Sequence, residues 1–196
     1  MFRSVLMALA LSAVGVSGVM VAQDAHAIRE ATAQKAMTDA IITDMAALIT
    51  VFDSEISKNA ALLDGASREG YEKSKVSWAK AKEYHTGGND LMAWKHAFTA
   101  FREFGPAVKY VLSADKTPIK LTQAISTHIR NTAARVKAVE PHTAGNDEAR
   151  EAYDKAKAFH AEGKTLYAGD NVAGWEKHIK AMKQLDKACR AVEWAK

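Results

Sequence analysis

The residues of this chain best suited to chemistry are two Met/His pairs and a single cysteine. Met92 and His96 stand four apart, and so do His178 and Met182. On a helix such a pair shares one face. A thioether beside an imidazole is a soft donor set that suits copper or haem iron. Cys189 is the only cysteine, so no internal disulfide can form. Its ordinary role is that of a small buried apolar residue, with intermolecular pairing or ligand duty as alternatives.

The other histidines read more plainly. His85, His128 and His160 lie on or beside apolar stripes, where a core histidine satisfied by hydrogen bonds is the default. His96 falls opposite its own stripe and reads as solvated, and His178 reads as a boundary residue. A bundle site assembled from His85, His160 and His178 is an open alternative. No Glu-x-x-His pair supports a di-iron carboxylate site. Neither a Gly-x-Ser-x-Gly elbow nor a Gly-rich loop after a strand is present, so no enzymatic nucleophile or phosphate cradle is expected.

The large aromatics are a second set. Tyr71, Tyr153, Trp78, Trp94 and Trp175 are expected either in the core or lining a cleft that takes a small ligand. All of them fall in helical segments. Apolar residues recur at three and four spacings in six stretches, and the chain has only three prolines and eleven glycines.

The first stretch runs from about Glu30 to Leu63, with Met37, Ile41, Met45, Leu48 and Phe52 on its stripe. Ser67 is the expected cap of the second, which ends at Thr86. Asn89 or Asp90 caps the third, whose stripe is interrupted at Gly105-Pro106, where a kink or break is expected. Thr117-Pro118 opens the fourth, with a capping hydroxyl and a proline in the first turn. Residues 142–146 form a loop, Asn146 caps the fifth, and the sixth follows Gly169-Asp170 to the C-terminus.

These segments repeat. Tyr71 recurs as Tyr153 at an offset of 82, and Trp94 as Trp175 at 81. Lys73 and Lys75 recur as Lys155 and Lys157. The expected architecture is an all-α helical bundle built from two similar three-helix halves, 28–112 and 113–196, in one compact domain. The hairpins resemble tetratricopeptide units in Trp78, Gly88, Ala93, Ala100 and Pro106, but a repeat near 81 does not suit an array with a ~34-residue period.

The last two helices are similar to those of the cytochrome c-prime family: an Ala/Lys-rich helix, a Gly-Asp turn, then a helix ending Lys187-Ala188-Cys189-Arg190-Ala191. That resemblance implies a secreted bundle of haem-protein descent. Covalent haem needs Cys-x-x-Cys-His. Here Val192 and Glu193 stand where the second cysteine and the histidine belong, so any haem would be non-covalent haem b.

Residues 1–27 have the layout of a secretory leader: Arg3, an apolar run from Val5 to Ala22, and Ala25-His26-Ala27 before the cut. No later stretch is apolar enough to span a membrane. Net charge is +4 with the two signs interleaved, which does not suit a nucleic-acid surface. The expectation is an exported, periplasmic or secreted, non-enzymatic protein that binds a partner protein or small ligand in a groove between the Trp-bearing hairpins. A second copy of the chain is among the candidate partners. The alternative is a bundle that binds haem or copper.

Overall fold

The computed structural model describes residues 31–114 and 117–192. The leader expected over residues 1–27 lies outside them. Among the described residues there are six α-helices and no strand. Helix α1 covers 31–58. It is followed by α2 (Gly65–Thr86), α3 (Asp90–Leu112), α4 (Ile119–Val139), α5 (Asp147–Tyr167) and α6 (Asn171–Ala191). Single 3-10 turns at Ala60–Leu62 and Glu140–Thr143 precede α2 and α5.

The α1 stripe of Met37, Ile41, Met45, Leu48 and Phe52 is buried along its length, as a 3.6-residue period requires. The helix stops before the stripe does. Asn59 accepts from the Ala61 amide and opens the 3-10 turn, a local bond that competes with helix continuation. Leu62 and Leu63 still reach the core. Asp64, rather than Ser67, caps α2; its carboxylate accepts from the Ser67 amide at 2.7 Å.

Two other expectations are corrected. Helix α3 passes through Pro106 without a break. Pro106 and Arg102 are on the exposed side, where water can serve the Arg102 carbonyl that loses its donor. Thr117 does not cap α4. Its hydroxyl donates backwards to the Val111 carbonyl at 2.8 Å, and Pro118 takes the cap position without a side-chain bond.

Helices α2 and α3 form one hairpin, α5 and α6 another, and α1 and α4 pack across them. Phe52 of α1 meets Tyr71 of α2 at 5.8 Å and Phe104 of α3 at 4.6 Å between ring centroids. Helix α4 is tied to α1 by Asn131, which donates to Asp44 at 2.9 Å, and to α5 by the Tyr167 hydroxyl on the Thr122 carbonyl.

Hairpin boundaries recur with the offsets of the sequence repeat. Helix α5 begins 82 residues after α2, and α6 begins 81 after α3. All four helices carry an Asx cap: Asp64, Asn89, Asn146 and Asp170. The second hairpin has the tightest glycine crossing. A Cβ on Gly174 would lie 2.5 Å from the Tyr167 backbone, so only glycine fits that crossing. No helix among the described residues is long and apolar enough to cross a membrane.

Candidate functional site

Four of the five aromatic groove candidates sit in the core. Tyr71, Tyr153, Trp94 and Trp175 are each no more than 2% exposed, so they line no open cleft. Trp78 is half-buried, with the Lys82 ammonium 3.8 Å from its ring centroid.

The two core tryptophans cross between hairpins. Trp94 of α3 donates to Asp186 of α6 at 3.2 Å, and Trp175 of α6 donates to the Gly105 carbonyl of α3 at 3.1 Å. The donors are 81 residues apart and so are the acceptors, so the seam between α3 and α6 joins equivalent positions in both directions, through the Asp186 side chain in one and the Gly105 main-chain carbonyl in the other.

The Met/His pairs part company. Met92 and His96 are half-buried, and His96 stacks on Tyr84 at 5.2 Å instead of standing free in solvent. His178 and Met182 are fully buried, which corrects the boundary position expected for His178. His85 belongs elsewhere: its Nε2 lies 2.9 Å from Asp39 and its Nδ1 3.1 Å from Asp90, joining α1, α2 and α3. The set of His85, His160 and His178 therefore does not assemble. His128 of α4 takes the place beside His178.

A polar cluster results inside the bundle. The His128 and His178 rings meet edge to face at 5.2 Å, and His128 stacks on Phe101 at 5.3 Å. None of the four ring nitrogens has a hydrogen-bond partner, against the expectation of satisfied core histidines. Burial pulls His128 down to about 4. It also pulls His178 well below the usual range, helped by His128, Arg135 and His160. Both rings are neutral at pH 7.

Arg135 is 3% exposed and forms an ion pair with Asp44. Its guanidinium also donates to Thr132 at 3.3 Å. Burial lowers it to about 10, where it stays charged, and Asp44 matches that charge. The Thr132 hydroxyl lies 3.8 Å from the Met182 sulfur. Cys189 is buried and free, its thiol pushed well up by burial and Asp186, so it is not a reactive thiolate. No group of three or more His, Cys, Asp or Glu side chains among the described residues is arranged to hold a metal ion.

The open site lies on the seam above the tryptophans. A groove of about 280 Å³ runs between α3 and α6, floored by Phe98, Phe101 and Ile179. Lys95 and Arg102 line it from α3, Lys183 and Arg190 from α6. Its one carboxylate, Asp186, is engaged by Trp94 and by Arg190, whose Nε lies 3.0 Å away. Lys95, Arg102 and Lys183 have no ion-pair partner among the described residues.

Comparison with protein families, with characterised proteins and with solved structures finds no match to this chain. The site must be read from its own chemistry. Three unpaired cations over an apolar floor can hold an anion that carries an apolar body. The sequence did contain a signal: Lys95 and Arg102 are seven residues apart, as are Lys183 and Arg190, each pair two turns along one helix face.

Proposed function

We propose that this protein is an exported, non-enzymatic binding module that takes a small organic anion with an apolar body in the groove between α3 and α6. The observation that carries this reading is the surplus of positive charge there: Lys95, Arg102 and Lys183 face the groove without ion-pair partners, over Phe98, Phe101 and Ile179. Guanidinium and ammonium donors favour carboxylate or sulfonate heads, and the floor buries rings or short chains. Export rests on the leader-like composition of residues 1–27. The matching helix bounds and the reciprocal tryptophan bonds support two duplicated halves, 28–112 and 113–196.

Calorimetric titration of the full chain with 1-naphthoate tests the groove. Arg102→Gln and Lys183→Gln should each weaken binding by about tenfold, the scale of one hydrogen bond to a charged group. Raising salt should weaken it further, because the cations are exposed. Naphthoate affinity that ignores both substitutions ends this reading.

A bundle that binds haem b or copper, of cytochrome c-prime-like descent, has one observation in its favour. His128 and His178 face each other with unpartnered nitrogens, and the Met182 thioether lies one turn from His178. Absorption and metal analysis of natively exported protein test it. A Soret band or stoichiometric copper supports it, and a spectrum showing only the 280 nm band removes it.

A further inference from the structure

We propose that a second pocket, between α1 and α4, is a ligand site for a small uncharged amphipathic molecule that offers a hydroxyl-type group to His128. The pocket measures about 310 Å³ and opens to solvent on one side. A closed cavity of ~150 Å³ already accepts a benzene ring, so a two-ring probe has room here. Leu48 and Val51 of α1 and Ala124 of α4 supply apolar wall, Asp44 and His128 supply polar wall, and Lys120 also lines it.

The observation that points to a ligand is the condition of His128. It is 2% exposed, yet neither ring nitrogen has a hydrogen-bond partner. Its orientation is set by the stack on Phe101 and the edge contact with His178. Its Nδ1 lies on the Asp44 side, 4.0 Å from the carboxylate, too far for a hydrogen bond. Both Asp44 and His128 line the pocket. A buried donor or acceptor left unmade is costly, and a neutral imidazole offers one of each. A hydroxyl can either donate or accept, so it suits whichever role the nitrogen that faces it takes.

Charge selects against ionic ligands. An anionic head would meet the Asp44 carboxylate as well as Lys120 at the wall, so it finds no surplus of positive charge there. That carboxylate already has Arg135 and Asn131 as partners, so a cationic head would find it engaged, with Lys120 also lining the pocket. The α3/α6 groove has the opposite character. The two sites therefore sort ligands by head-group charge.

The test uses full-length protein and four naphthalene probes: 1-naphthol, 1-methylnaphthalene, 1-naphthoate and 1-naphthylmethylammonium. Calorimetry gives affinities, and imidazole nitrogen NMR follows His128. The expected result is that 1-naphthol binds, shifts the His128 ring nitrogens, and exceeds 1-methylnaphthalene and the ammonium probe by tenfold or more. Ala124→Phe, at a half-buried wall position, should abolish naphthol binding while naphthoate affinity and the helical circular dichroism stay unchanged. Arg102→Gln should leave naphthol binding intact. The proposal is overturned if naphthol does not bind, if 1-methylnaphthalene or the ammonium probe binds equally well, or if Ala124→Phe has no effect. It is also overturned if Arg102→Gln removes naphthol binding, which would place the probe in the other groove. Failure of naphthoate alone bears only on the α3/α6 reading.

Discussion

The two hairpins share boundaries and differ in filling. At equivalent positions the first has Ala81 and Ala93, while the second has Gly163 and Gly174. The first has Trp78 and Ala97 where the second has His160 and His178, and Phe101 where the second has Met182. At these crossings one hairpin carries methyl groups and supplies aromatic rings to the core, while its own close approach lies at Gly70, where a Cβ would stand 3.0 Å from the Glu103 carbonyl. The other closes until glycine alone fits, and contributes imidazole and thioether groups. The same backbone device accommodates aromatic filling in one hairpin and a buried polar cluster beside α4 in the other. The polar departures gather on the side that faces α4.

The largest test of that comparison removes the paired tryptophans. Trp94→Ala and Trp175→Ala should each cost about 4 kcal/mol, the range for emptying a large aromatic site, read as urea midpoints. If Trp94→Ala costs less than about 1 kcal/mol, the two are not counterparts.

Acid tests the polar side of the second hairpin together with the α4 that covers it. His128 is neutral in the folded protein and protonates near 6.5 when unfolded, so its folded pKa of about 4 lies below the unfolded value. Stability is then full above pH ~6.5, falls as pH drops, and by pH ~4 has lost about 3 kcal/mol for His128 alone. His178 adds to the same slope. Urea unfolding between pH 4 and 8 should show it, and His128→Phe with His178→Ala (the residue of the first hairpin) should flatten it. A profile unchanged by those substitutions would move the acid sensitivity elsewhere.

The crossing distance gives a smaller effect. Gly174→Ala forces a Cβ onto the Tyr167 backbone and should cost about 2 kcal/mol. The reverse exchange, Ala93→Gly, should cost about 1 kcal/mol through helix propensity alone. Similar costs for the two would mean that the hairpins are spaced alike. The smallest difference concerns the Tyr-Lys pairs. Lys75 and Lys157 lie 5.2 and 5.8 Å from the rings of Tyr71 and Tyr153. Lys75 also pairs with Asp53 and Glu72. Lys157→Ala should cost about 0.5 kcal/mol and Lys75→Ala slightly more, read by thermal unfolding.

What could be read from the sequence was what is local. The apolar stripes, the caps at Asn89 and Asn146, and the 81- and 82-residue offsets depend on neighbours within a turn or two, and they reappear in the fold. The end of α1 was missed because Asn59 makes a short-range bond that hydrophobic period does not register. A break at Pro106 does not occur, because the penalty of an internal proline depends on whether the orphaned carbonyl faces water. The site was harder. His178 lies at the margin of its own stripe, and only α4 packing across α6 closes over it. Lys95, Arg102 and Lys183 look like solvated faces in sequence, and become a groove only where α3 meets α6. His128 seemed an ordinary core histidine because nothing along the chain tells whether a ring nitrogen finds a partner.

The reciprocal bonds at the α3/α6 seam also bear on assembly. Trp94 on Asp186 and Trp175 on Gly105 describe an interface that is its own mirror partner under exchange of hairpins, the property of a two-fold contact between subunits. A first hairpin released from its own second hairpin would find the same complementary surface on the second hairpin of another copy. The segment that joins α3 to α4 is the place to test this. Shortening it so that α4 cannot fold back should yield a hairpin-exchanged pair that keeps the seam contacts, with the groove rebuilt from two chains, read by light scattering.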